Sequence, residues 1–428
     1  MTRAVVIVDG EHYPPVVRDA LAEIPHEVVA AVLVGGTEKL RDADAPEYGV
    51  PLAASLEEAL VEHAPDVVLD LSDEPVLGPR ERMALASRAL ALGVPYEGAD
   101  FRFDPPALEP FGLPSLGVVG TGKRVGKTAV TGHVVRLLAR DRSVVVVAMG
   151  RGGPPDPEVI EGAPSVDELV ARSRAGLHAA SDHLETAAVT GVTTVGCRRA
   201  GGGLAGGVAV SNVIQGAAVA AAIQPDLVVF DGSGAALPPV ETGARVLVVG
   251  AQQDPAVATG YLNDFRHRIA DLVVLTAAGE PVARERLREA SKALVREGVP
   301  VIATVLEPRP LTPVAGRRVA FFGTAPPETH AATAAGLRER HGAEVVAVSG
   351  ALADRSRLRD ELARIDAEVY LVELKAAAID VVAEHALEHG VEVVLVANDV
   401  VPIDREADLD GELERLAAIA IANVAEAV

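Results

Sequence analysis

The sequence predicts an α/β protein: a central unit on a parallel sheet, flanked by smaller doubly wound α/β units at each end. Three observations carry that prediction. Short Val-rich apolar runs alternate with helix-periodic stretches along the whole chain. The runs are continuously apolar, as strands covered on both faces of a parallel sheet are. Two proline-rich stretches, 104–114 and 307–316, divide the 428 residues into three parts, in line with ~150 residues per domain.

The first part, residues 1–103, carries the strand-like runs "AVVIVD" (4–9), "EVVAAVLV" (27–34) and "DVVLDL" (66–71), with a helical pattern over 79–92. "DPPALEPFGLP" (104–114) holds four prolines and is expected as a linker. The central part, residues 115–306, offers strands at 116–120, 143–149, 226–231, 245–250, 271–276 and 299–305. "EPRPLTPVAG" (307–316) is expected as a second linker. The last part, 317–428, alternates again through "RVAFFG", "AEVVAVSG", "AEVYLVE" and "VEVVLVAND". The tail "LERLAAIAIANVAEAV" is apolar but acidic, and is expected to pack internally or at a dimer contact.

Composition narrows the function. The net charge of −22 argues against general binding to nucleic acid or anionic membrane. A highly anionic small substrate then requires a local concentration of basic residues. Lysine occurs only at Lys39, Lys123, Lys127, Lys292 and Lys375, and two of the five fall in one short stretch. Cys197 is the sole cysteine, so neither an intrachain disulfide nor a thiolate cluster forms. The chain starts with a strand-like run rather than a leader, and no apolar run reaches ~18 residues. A cytoplasmic protein is expected.

The stretch holding the two lysines is "SLGVVGTGKRVGKTAVTGH" (115–133). It runs from a strand through a glycine-rich loop into a helix expected over 127–140. That is the context of a P-loop, whose backbone N–H groups and helix N-terminus cradle phosphate. Gly120, Thr121, Gly122, Lys123, Gly126, Lys127, Thr128 and Ala129 are the expected nucleotide-binding residues. Lys127 reaches the β- and γ-phosphates, and the Thr128 hydroxyl binds Mg²⁺. A second metal ligand is offered by "PDLVVFDGSG", where an apolar strand ends in Asp231. Gly232, Ser233 and Gly234 follow, and the Gly234 N–H is placed to approach the γ-phosphate.

The loop departs from the usual spelling, because Thr121 stands where the first glycine belongs. "GTGKRVGKT" resembles the dethiobiotin synthetase form of the P-loop, within the ParA/MinD-like ATPases. The signature lysine of the partitioning members is replaced here by Gly122. The resemblance therefore implies a small-molecule ligase before a partitioning ATPase, although a ParA/MinD-like switch stays open.

Further basic residues stand at the ends of predicted strands, where parallel sheets bind ligands. Arg151 opens "RGGPPDPEVI", with Gly152 and Gly153 behind it; Arg198 and Arg199 precede five glycines between 201 and 207. With Lys123, Arg124 and Lys127 they are the expected catalytic cations, able to neutralise phosphates brought together. Lys375, the lone lysine of the last part, is a weaker substrate candidate.

Together, "GTGKRVGKTAVTG", "VVAMGRGGPPDPEVI", "CRRAGGGLAGG" and "FDGSGAALPPV" resemble the cyclic 2,3-diphosphoglycerate synthetase family. The resemblance implies a P-loop NTPase domain between Rossmann-like N- and C-terminal units. It implies ATP and Mg²⁺ as cofactors, with a monovalent cation such as K⁺ left open. The implied activity closes the two phosphates of 2,3-bisphosphoglycerate into an intramolecular pyrophosphate; 2,3-bisphosphoglycerate is the expected partner, and a homodimer is expected. Another dethiobiotin synthetase-like ligase or kinase acting on a different acid is the alternative.

Two other features suggest sites and are given plainer readings. His385, Glu388 and His389 spell an inverted zinc-protease motif but have no third-ligand segment. Asp9, Glu11 and His12 follow the first strand and read as a turn before a helix.

Overall fold

The computed structural model describes residues 1–36, 47–276 and 281–427; Lys39 and Val428 lie outside them. It contains two sheets. The N-terminal sheet has six strands, ordered Leu52–Ala53, Glu27–Leu33, Arg3–Val8, Val67–Asp70, Tyr96–Glu97 and Arg102–Phe103. Its first five strands are parallel and the last is antiparallel. Helix Pro79–Ala91 packs this unit onto helix Asn263–Arg268 of the central part.

The second sheet has thirteen strands. From one edge the order is Val210–Ser211, Thr194–Ala200, Val144–Gly150, Leu227–Asp231, Ser115–Gly120, Ala244–Gly250, Leu272–Thr276, Val301–Pro310, Glu392–Pro402, Val369–Val372, Arg318–Phe322 and Glu344–Ser349. Strand Glu158–Ile160 pairs off Thr194–Ala200. From Thr194–Ala200 to Val301–Pro310 all pairs are parallel. Strand Ser115–Gly120 sits in the middle with all six residues buried. Each fully buried Val or Leu of such a strand contributes about 1.5–3 kcal/mol through burial.

The two proline-rich stretches behave differently. Residues 104–114 carry no helix or regular paired strand beyond one bridge, Glu109 to Val240. Phe111 anchors them edge-on against Phe230, with ring centroids 5.1 Å apart. Within 307–316, by contrast, Glu307–Pro310 continue strand Val301–Pro310. That strand begins parallel to Leu272–Thr276 and ends antiparallel to Glu392–Pro402, so it joins both parts in one sheet. Pro308 and Pro310 read as strand breakers in sequence, but proline is tolerated where a strand's N–H is not needed by the ladder.

The terminal helix Leu409–Ala427 buries Leu409, Leu413, Leu416, Ala417 and Ala420 in the core around Ser115–Gly120. The tail thus packs internally. Among the described residues, no helix is long and apolar enough to cross a membrane.

Candidate active site

The carboxyl ends of the parallel strands converge where the sequence places its motifs. Strand Ser115–Gly120 ends in the loop 121–126, and helix Lys127–Leu138 starts from Gly126. Gly126 has φ +79, and an added Cβ would lie 2.9 Å from a Leu306 methyl, so glycine is required. Arg124 also takes a left-handed conformation at φ +60, which curls the loop as an anion cradle needs.

Register sets Asp231 beside this loop: it pairs with Val118 on one side and Ala148 on the other. Lys127 Nζ lies 2.5 Å from Asp231 Oδ1, and the Thr131 hydroxyl donates to the same oxygen at 2.6 Å. Asp231 is fully buried, and its Oδ2 has no hydrogen-bond partner. A buried carboxylate oxygen without a donor suits a cation, and an oxygen donor is what Mg²⁺ takes. Asp231 therefore fits the expected metal, with Thr128 at the second position of the adjacent helix.

A further acid faces the same place. Asp182 starts helix Asp182–Thr190, with Oδ2 near Gly150. Burial raises its pKa; Lys127, Arg151 and His178 pull it down and Asp231 adds to the rise. Sequence reasoning missed Asp182 because "ASDHLE" shows only a helix start. Among the described residues, no three His, Cys, Asp or Glu side chains group closely enough to hold a metal unaided. A divalent ion here needs oxygens from its ligand, as Mg²⁺ in phosphate sites does.

The arginines separate into two sets. A Cβ placed on Gly234 would lie 3.1 Å from Arg151 Nη2, 3.8 Å from Arg199 Nη2 and 3.9 Å from the Gly122 carbonyl carbon. Arg151, Arg199, Gly234 and the P-loop are thus one locus. Arg199 donates to the Ser233 carbonyl at 2.8 Å and to the Gly201 carbonyl at 2.9 Å, while its buried Nε has no partner. Burial lowers its pKa, and the neighbouring Arg151 charge lowers it further. Arg198 is exposed, and as the next residue on strand Thr194–Ala200 its side chain projects to the opposite face. The adjacent pair thus points to opposite faces. Lys123 and Arg124 are exposed at the tip of the P-loop.

Other expected residues have protein partners. The Thr121 hydroxyl donates to Gln253 Oε1 at 2.5 Å, and the Thr121 carbonyl accepts from Asn263 Nδ2 at 3.1 Å. Its side chain braces the loop against the segment after strand Ala244–Gly250. Gly153 is required because a Cβ there would strike the Cys197 carbonyl oxygen at 2.0 Å; Gly152 packs by the His178 ring. These two glycines serve close packing between neighbouring segments. Gly232 and Ser233 form the turn after Asp231, closed by reciprocal Ser233–Ala236 backbone hydrogen bonds. Ala129 and Thr128 line a narrow cleft with Glu185 and Asn398.

Lys375 reaches across from the C-terminal part and lies 3.6 Å from Glu185 and 3.5 Å from Glu373. Burial opposes its charge, yet the two carboxylates push its pKa above the usual lysine value. Lys375 is thus held by acids in the state described. Glu185, one turn after Asp182, has its pKa raised to about 7 by burial.

The remaining suggestive residues have structural roles. His385 and His389 stack with centroids 4.0 Å apart, and among the described residues no third metal-binding side chain is grouped with them. Cys197 is fully buried, and burial pushes its thiol up to about 12, so it is no nucleophile. Asp9 accepts from the Glu11, His12 and Asp73 backbone N–H groups and from the His12 ring, organising the turn.

Three family models match the chain. The N-terminal domain of cyclic 2,3-diphosphoglycerate synthetase matches residues 3–104, its P-loop domain 115–305 and its C-terminal domain 310–399. Curated relatives bear the same name. The protein from Rubrobacter xylanophilus is 50% identical over 437 residues, covering 98% of each chain. That from Thermococcus sibiricus is 40% identical, covering 96% of this chain and 97% of its own. That from Methanothermus fervidus is 38% identical, covering 98% and 97%. With the P-loop, Asp231 and the paired arginines in one locus, the chain belongs to the cyclic 2,3-diphosphoglycerate synthetase family.

Proposed function

We propose that this protein uses ATP to convert 2,3-bisphosphoglycerate to cyclic 2,3-diphosphoglycerate, releasing ADP and orthophosphate. The observation that carries the reading is the single locus formed by the P-loop, the Lys127–Asp231 pair and the Arg151–Arg199 pair at Gly234.

A phosphate monoester is a poor electrophile, so one substrate phosphate is first activated. An oxygen of that phosphate attacks the γ-phosphorus of ATP; the bond from that phosphorus to the β-bridging oxygen breaks, and ADP leaves. The other substrate phosphate then attacks the proximal phosphorus of the new anhydride. Its bond to the transferred group breaks, orthophosphate leaves, and the ring closes. The attacking oxygens are already ionised at neutral pH, so no general base is needed.

Both steps press anions together, which is the barrier the protein must lower. The P-loop amides and Lys127 hold the nucleotide. Arg151 and Arg199 hold the substrate's two phosphates adjacent, which supplies proximity. Asp231, Thr128 and Asp182 are the residues to hold Mg²⁺, which supplies further charge neutralisation. Lys123 and Arg124, exposed at the loop tip, are placed to draw an incoming anion toward the site.

The working form in this reading is a cytoplasmic homodimer. The dimer is supported by helix Val213–Ile223, which carries no charged residue and leaves Ile214 and Ile223 exposed on an otherwise acidic protein.

The test is ³¹P NMR of the purified protein with ATP, Mg²⁺ and 2,3-bisphosphoglycerate. The reading expects a new pyrophosphate-type resonance with one orthophosphate per ADP. ATP hydrolysis indifferent to the added substrate rejects it.

A further inference from the structure

Helix Asn263–Arg268 is short, yet four of its residues are polar or charged and buried: Asn263, Asp264, Arg266 and His267. Arg266 is 2% exposed and heads the largest fully buried side chains. No described carboxylate pairs with it. Burying a cation without an opposite charge is unfavourable, and an apolar side chain of similar volume would fill the space with less penalty. Packing alone does not explain this choice of residue.

The partners of Arg266 do. Nε and Nη2 both donate to the Ala235 carbonyl, at 2.8 and 2.5 Å; Nη1 donates to the Leu262 carbonyl at 2.8 Å and to Asn263 Oδ1 at 3.2 Å. Asn263 in turn donates through Nδ2 to the Thr121 carbonyl at 3.1 Å and the Val257 carbonyl at 2.8 Å. Thr121 opens the P-loop. Ala235 follows Gly234, which lies against Arg151 and Arg199. The third phosphate-side segment joins through Gly206, whose carbonyl accepts from Leu237 N–H at 2.8 Å and whose Cβ position lies 3.1 Å from Arg266 Nη2. Asn263 and Arg266 thus join the P-loop to the turn after Asp231 by side-chain hydrogen bonds, and the Leu237–Gly206 backbone bond ties the 201–207 loop to that turn, beside Arg266.

We propose that Asn263 and Arg266 are positioning residues for phosphoryl transfer: their side chains lock the P-loop, the turn after Asp231 and the 201–207 loop into one frame. The frame sets the distance between Lys127, on the nucleotide side, and Arg151 and Arg199, on the acceptor side. This rests on the function proposed above. Neither residue faces the reacting phosphates, so both act through backbone they hold. The guanidinium fork matters as well as its charge, because two of its nitrogens grip one carbonyl while a third reaches Asn263.

The test uses Asn263→Ala and Arg266→Lys in the full chain. Misplacement by about 1 Å can cost about 100-fold in rate. The proposal expects kcat for cyclisation to fall by about that factor while the KM for ATP changes little, measured well below each variant's unfolding temperature. Unchanged kcat per folded molecule, or a rise in KM alone, overturns it. Hydrogen–deuterium exchange gives a readout independent of catalysis. Exchange is expected to rise together in peptides covering 117–126 and 231–237, although Asn263 touches only the first. A rise confined to 257–270 overturns the frame. If Arg266→Lys fails to fold, Asn263→Ala carries both measurements. If the wild type makes no cyclic product, the function fails while the exchange result still decides the frame.

Discussion

Lys127 Nζ and Asp231 Oδ1 lie 2.5 Å apart although 104 positions separate them in sequence. Parallel pairing of Leu227–Asp231 with Ser115–Gly120 produces this contact. It gives each charge a partner in the free protein: Lys127 is 10% exposed and Asp231 not at all. In the proposed reaction, incoming phosphates would compete for the lysine and leave the carboxylate to Mg²⁺.

Lys127→Ala is expected to lower turnover on the order of a thousandfold, since one charged donor to a developing anion is worth about that much. It also strands a buried carboxylate, and removing one partner of a buried pair costs about 3–5 kcal/mol. Steady-state kinetics and thermal unfolding of the free protein check the two effects. Activity within tenfold of wild type would sink the assignment.

Asp182→Asn is expected to raise the Mg²⁺ needed for half-maximal rate by about 10–100-fold, the range for perturbing a metal's supporting groups. The raised pKa of Asp182 predicts a parallel effect of acid. A Mg²⁺ titration of initial rates reads it; an unchanged midpoint removes Asp182 from the metal site.

Arg199→Ala and Arg198→Ala should differ sharply. A hydrogen bond to a charged group contributes about 1.5–3 kcal/mol. Loss of Arg199 should therefore raise the KM for 2,3-bisphosphoglycerate by about 10–100-fold, while Arg198→Ala stays near wild type. Equal losses would mean that strand alternation does not sort the pair.

Glu185 gives a pH signature. Its pKa is raised from 4.5 to about 7, first by burial. Between those values the folded state keeps a proton that the unfolded state has released. Stability therefore falls as pH rises from about 4.5 to about 7, then levels off. Glu185→Gln should flatten that slope. Urea unfolding at pH 5 and pH 7.5 compares the two proteins, and an equal slope in both rejects the assignment.

His389→Ala should leave cyclisation near wild type. Its ring Nδ1 donates to the His385 carbonyl at the helix end, and among the described residues no three His, Cys, Asp or Glu side chains group around it. A loss matching that of Lys127→Ala would revive the zinc reading.

The sequence by itself determined the α/β class, the P-loop with Lys127 and Thr128, the acid-bearing strand at Asp231, and Arg151 at a strand exit. These are local signals: apolar runs, a glycine-rich turn and the residue that ends a strand all lie within a few positions of each other. Only the tertiary structure decided what depends on register and on residues far apart. It put Asp182 at the site, sorted Arg199 from Arg198, gave Lys375 to Glu185 and Glu373, and continued a strand through Pro308 and Pro310. It also turned the Thr121 hydroxyl to Gln253 and its carbonyl to Asn263. The physical reason is that a side chain's partners are fixed by which strand ends and helix starts the sheet brings side by side, and strand order leaves no short-range mark on the sequence.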